Sequence, residues 1–94
     1  MEFVLPIMGE PYTESTIPAA GNATVSMRRA PVPCTLWLDS TNGSRSIQIS
    51  VDEGVNFFTP TYDTNTTAQL VVAITAPISH VKFTGTTGEA YGIR

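Results

Sequence analysis

The sequence predicts an all-β chain, a small antiparallel β-sandwich or jelly-roll-like barrel of about seven or eight strands. Three observations predict it. Short runs alternate apolar and polar residues, the period-2 pattern of half-buried strands. Turn formers separate those runs at short spacing, among them Asn42-Gly43, Asp52-Glu53-Gly54 and Gly85-Thr86-Thr87-Gly88. No stretch carries a convincing helical period.

Residues 1–22 read as an N-terminal extended arm or edge strand, and residues 23–94 as a single β-sandwich domain. In the arm, Glu2 to Met8 is extended, and Pro6 bars it from a central ladder position. Residues 9–22 hold two prolines and two glycines, so a loop or a partner-binding arm is expected, with Tyr12 and Ile17 as its large apolar anchors. Ala23, Val25 and Met27 then alternate with Thr24, Ser26 and Arg28, a half-buried strand. Ala30-Pro31-Val32-Pro33 is a polyproline-like connector expected to cross between sheets.

Residues 34–58 read as a three-stranded meander. Asn42-Gly43 is expected to make a type I′ hairpin, which needs positive φ at both central positions. That turn sets Leu38 opposite Ile47, Leu36 opposite Ile49 and Cys34 opposite Val51, all on one apolar face. Trp37, Asp39, Ser46, Gln48 and Ser50 fall on the other. A third strand is expected from Val55 to Thr59, stopped by Pro60. Thr67 to Thr75 is the most apolar run, and apolar residues on both faces argue for a central strand or one whose outer face meets a partner. Val81 and Phe83 point inward from the next strand. Gly85 to Gly88 is expected to turn it into a last strand carrying Tyr91.

Composition bounds the function. At 94 residues the chain buries roughly 60–65% of its unfolded surface, near the lower limit for a domain standing alone. One cysteine allows no internal disulfide, and one cysteine with one histidine makes no zinc site. No cofactor or metal is expected. Charged residues are 14% of the chain, and 14 threonines and 7 serines supply the polar surface instead. Such a surface favours close packing on a partner, and oligomerisation or docking on a partner is expected to supply part of the stability. The five basic residues are dispersed, which disfavours nucleic acid. The start, with Glu2 and a short run broken by Pro6, is not expected to be a signal peptide, and no stretch has the length of a membrane span. The sequons at Asn22, Asn42 and Asn65 read as by-products of Asn- and Thr-rich turns.

No catalytic set emerges, and a non-enzyme is expected. His80 falls on the polar face of a strand beside Lys82, and Cys34 on an apolar face as a small core residue. Trp37 among hydroxyls and amides fits an interface anchor, a sugar platform, or a side chain covered by the arm or a second sheet.

Ser50-Val51-Asp52-Glu53-Gly54-Val55-Asn56-Phe57 reads S-x-D-x-G-x-x-F and resembles the Asp-box, a β-hairpin motif best known from sialidase-type propellers. The resemblance implies a structural turn: Asp52 accepts backbone N–H bonds, Gly54 supplies positive φ, and the aromatic packs back over the hairpin. One copy in 94 residues makes no propeller. The phrases Ile49 to Pro60 and Ile78 to Ile93, with the Ser/Thr-rich alternating strands, resemble small structural proteins of tailed bacteriophages, head-decoration or cement proteins among them. That resemblance implies a virion protein made in the host bacterial cytoplasm. It would bind the major capsid protein on the outer capsid surface as a homo-oligomer, a dimer or trimer, and stabilise the head. Phe3, Leu5, Ile7, Tyr12 and Trp37 are the expected contacts. The alternative is a carbohydrate- or receptor-binding module of a tail fibre or baseplate, with Trp37, Tyr12 or Tyr62 stacking on sugar rings.

Overall fold

The computed structural model describes residues 12–62 and 69–94. The expected strand at Glu2 to Met8, and with it Phe3, Leu5 and Ile7, lies outside the described residues. Seven strands are present among those described: β1 (Thr13–Thr16), β2 (Asn22–Ser26), β3 (Cys34–Asp39), β4 (Ser46–Ser50), β5 (Gln69–Ile74), β6 (His80–Thr84) and β7 (Ala90–Ile93). They form an all-β sandwich of a four-stranded sheet, β1-β7-β3-β5, and a three-stranded sheet, β2-β6-β4.

All the odd strands lie in one sheet and all the even strands in the other, so every connection along the chain crosses between layers. The chain is one long antiparallel double ribbon folded back about β4: β1 pairs β7, β2 pairs β6, and β3 pairs β5. Rolling that ribbon brings β3 against β7 and β4 against β6. This is the winding of a jelly roll.

Two expectations are corrected by this winding. The Asn42-Gly43 hairpin does not form. Leu36 and Leu38 face Val72 and Leu70 on one side and Ile93 and Tyr91 on the other, Cys34 faces Ile74, and Ile47 and Ile49 face Phe83 and Val81 in the opposite sheet. Gly85 to Gly88 likewise carries the chain from one sheet to the other rather than making a hairpin. The physical reason is the same in both places. Alternation decides which face of a strand is buried, and a sandwich buries the same face whether consecutive strands pair or cross. The local turns confirm it. Asn42 closes a turn by accepting from the Arg45 N–H at its carbonyl, and its side-chain oxygen accepts from the Ser44 N–H at 2.8 Å. Gly43 is absent from the positive-φ positions, which are Gly21, Glu53, Gly54 and Gly88.

The third strand of the expected meander shrinks to one bridge, Phe58 with Ile49, and Val55 is 77% exposed. Val51, expected inside opposite Cys34, is exposed in the turn. Among the described residues the apolar β5 pairs only with β3, so it lies at the edge of the sheet and not in its centre. Thr13–Thr16, read as part of a loop or arm, is the other edge of the larger sheet, and Ile17 just beyond it is fully buried.

The core lies between the layers. Leu36, Leu38, Tyr91 and Ile93 from the larger sheet meet Ile47, Ile49, Val81 and Phe83 from the smaller, with Ile17, Met27, Cys34, Leu70, Val72 and Ile74 completing it. Each fully buried large aliphatic side chain contributes about 1.5–3 kcal/mol. Phe83 and Tyr91 stack across the layers, ring centroids 4.6 Å apart and 24° from parallel.

Candidate functional site

The outer face of the larger sheet is built by the residues that alternate with the core. Register places Glu14, Gly92, Trp37 and Val71 in one cross-strand row, and Thr16, Ala90, Asp39 and Gln69 in the next. Gly92 is the hinge of this arrangement. A Cβ there would stand 2.6 Å from Cε2, Cζ2 and Nε1 of Trp37, so the indole lies directly on the Gly92 backbone. Only a residue without a side chain leaves room for it. The half-buried indole has its Nε1 shielded from solvent, with no hydrogen-bond partner among the described residues.

Beside it opens a groove of about 300 Å³ lined by Thr35, Trp37, Gln69, Val71 and Arg94. Its lining combines the indole and an aliphatic side chain with an amide, a hydroxyl and a guanidinium. Arg94 donates to Glu14 Oε1 at 2.6 Å, a half-exposed ion pair over the β1–β7 seam. Trp37 was expected on this polar face from sequence. Val71 is one of the residues that make the outer face of its strand apolar in the sequence, and Thr35 shares β3 with Trp37. Gln69, Gly92 and Arg94 carry no such signal, because only the winding brings them beside Trp37.

Among the described residues, neither Tyr12 nor Tyr62 lines this groove. Tyr12 is 38% exposed and its N–H donates to Ile93 O where β1 begins. Tyr62 lies against β4. Its hydroxyl accepts from the Ile47 N–H at 2.9 Å and donates to the Ile47 carbonyl at 3.0 Å. That one phenol stands in for a strand partner, and the half-buried ring packs against the core.

The Asp-box-like turn is a closed hydrogen-bond knot. The Asp52 carboxylate accepts from the Asn56 N–H at 2.9 Å, the Ser50 hydroxyl at 2.7 Å and the Asn56 amide at 2.7 Å. These donors, the Asn56 N–H first, bring its pKa down to about 2. Ser50 Oγ also accepts from the Gly54 N–H at 3.0 Å, and Gly54 sits at φ +83° against the His80 ring. Phe57 lies under Lys82 of β6, whose Nζ is 4.4 Å from the ring centroid. Glu53 pairs with Arg28 on the surface.

A second carboxylate, Glu89, performs the same service at the opposite end and carried no local signal in the sequence. It accepts from the buried Ser40 hydroxyl at 2.6 Å, from the Thr41 N–H at 2.9 Å and from the Thr86 N–H. The Ser40 bond leads in lowering its pKa to about 2.

Cys34 and His80 are not brought together. Cys34 lies in the core, where burial raises its thiol pKa, and His80 occupies the outer face of the other sheet. Among the described residues no three His, Cys, Asp or Glu side chains cluster as a metal site, and no helix is long and apolar enough to cross a membrane. No family model matches the chain, and no curated protein or solved structure matches it either.

Proposed function

We propose that this protein is a non-enzymatic virion structural protein that binds the outer surface of a tailed-phage head and stabilises it. The observation that carries the reading is the outer face of the larger sheet, where Trp37 and Val71 form the apolar part of a groove completed by Thr35, Gln69 and Arg94. A tryptophan held flat on a glycine backbone is rigid, and a rigid aromatic anchor loses little entropy on docking. Low charge lets the surrounding face approach another protein closely. The two ends of the sandwich are tied by Asp52 and Glu89, which fits a module that transmits load rather than one that turns over substrate. The capsid as partner comes from the resemblance of the sequence to head-decoration proteins. The mechanism is mechanical: apolar burial across subunit seams raises the barrier to rupture under DNA pressure.

Co-sedimentation of the purified, folded protein with matching mature capsids tests this. A fixed stoichiometry is expected, with a loss of at least tenfold in affinity for Val71→Asp. Failure of the folded wild-type protein to bind overturns it.

The composition of the groove favours one second reading. An indole flanked by Gln69, Thr35 and Arg94 is the chemistry that receives a sugar ring, as in a receptor-binding module of a tail fibre or baseplate. Glycan binding in solution, lost in Gln69→Ala and accompanied by no capsid binding, selects this reading over the first.

A further inference from the structure

We infer that the β5 edge of the larger sheet is a self-association surface, where a second copy of this chain adds its own β5 antiparallel across a two-fold axis. The inference stands apart from the capsid reading, because the contact forms in solution between copies of this chain alone.

The evidence is the treatment of the strand edges. An unpaired edge is a template for another strand, and proteins blunt the edges they do not use. The outer edge of β4 is blunted: Phe58 exchanges both backbone hydrogen bonds with Ile49, and the Tyr62 hydroxyl satisfies both backbone groups of Ile47. The β1 edge is four residues long and carries Glu14. The β2 edge turns the hydroxyls and amide of Asn22, Thr24 and Ser26 to solvent. β5 has none of these devices. It is six residues long, has no proline or charge, and pairs only with β3 among the described residues. Residues 64–79 include no Lys, Arg, Asp or Glu, so two copies meet there without repulsion.

Symmetry selects the partner. A two-fold axis perpendicular to the sheet keeps inner face with inner face, so residues of like parity must oppose each other. Val71 then meets Val71 or Ala73 of the second copy, and Trp37, Val71 and their mates form one continuous apolar row. On the inner side Leu70, Val72 and Ile74 extend both cores. A seam of six residues is about 20 Å long.

With Val71 opposite Val71, Ala73 faces Gln69; in the other register Val71 faces Ala73. In both, position 71 meets position 71 or 73 of the second copy, so a paired charge test at the two positions is independent of the register. The full-length chain is examined by sedimentation velocity between about 5 and 500 µM, with circular dichroism as the check on folding. The wild type is expected to move from monomer to dimer. The double variants V71K/A73K and V71E/A73E are each expected to weaken the dimer at least tenfold, and an equimolar mixture to restore a heterodimer. Amide exchange on the wild type reads the same contact without a substitution, as β5 protection that rises with protein concentration. A wild type that stays monomeric at 500 µM overturns the inference. So do a trimer or open polymer, lysine variants that dimerise undiminished, and a mixture that does not associate. Concentration-independent β5 protection in a monomer overturns it too, and assigns the edge to another part of the same chain.

Discussion

Trp37 rests on the backbone of Gly92 across the β3–β7 pair, with three of its ring atoms 2.6 Å from where a Cβ would stand. The Gly92 φ is not in the left-handed region, so the glycine answers to the space the indole occupies and not to backbone conformation. Gly92→Ala must therefore push the ring off the sheet. The expected cost is about 1–3 kcal/mol, that of overpacking, read as a lower midpoint in denaturant. Trp37 is the chain's single tryptophan, so its fluorescence maximum should shift to the red in the folded variant as the indole gains solvent.

Gly43 and Gly54 make an opposed pair. Nothing lies within 4 Å of a Cβ at Gly43, and its φ is not positive, so Gly43→Ala should stay within about 0.5 kcal/mol of wild type. A type I′ hairpin at Asn42-Gly43 would instead make that substitution costly. Gly54 holds φ +83° inside the Asp52 knot, and Gly54→Ala should cost about 1–2 kcal/mol. Equal losses at both positions by thermal or urea unfolding would contradict the crossing of β3 and β4 between sheets.

These glycines show what the sequence can and cannot disclose. Leu36, Leu38, Ile47 and Ile49 were legible as core residues because alternation reports the buried face directly, and all four are buried. Their partners were not legible, since β3 finds β5 and β7 through a winding set by the whole chain. Ser50 was placed on an outer face, correctly by parity, yet it is fully buried because the Asp52 turn folds over it. The same distinction applies to the groove. Trp37 could be read as an outward aromatic from its own strand. Gln69 and Arg94 join it from strands more than thirty residues away, and no local pattern ties them to it. Glu89 and Ser40 meet across 49 positions, which leaves no spacing motif to recognise.

The Tyr62 hydroxyl performs the work of a missing strand at β4. Tyr62→Phe leaves the Ile47 N–H and C=O without that partner while keeping the ring, which packs on the core. A loss of about 1–2 kcal/mol is expected for backbone groups left partly unsatisfied. The newly open edge should also raise association, so the variant is expected to form larger species than wild type at equal concentration by light scattering. A variant with lowered stability and unchanged size would show that the phenol stabilises the strand without guarding it.

Acid should loosen the sandwich at its two carboxylate knots. Glu89 falls from an ordinary pKa of about 4.5 to about 2, led by the Ser40 hydroxyl, and Asp52 falls from 3.8 to about 2, led by the Asn56 N–H. In both, the folded value lies below the unfolded one, so the unfolded chain binds protons more readily as pH drops. Their contribution to stability is therefore complete above about pH 5, and it is lost as pH falls towards 2. Unfolding midpoints in urea should decline over that window. Glu89→Gln keeps the shape but cannot lose a proton, so it should be less stable at pH 7 and show a flatter decline. The knots at opposite ends share no partners, so Glu89→Gln and Asp52→Asn should act additively on the slope. A wild-type midpoint unchanged between pH 6 and pH 2.5 would show that neither carboxylate is bound more tightly by its donors in the folded chain than by water in the unfolded one.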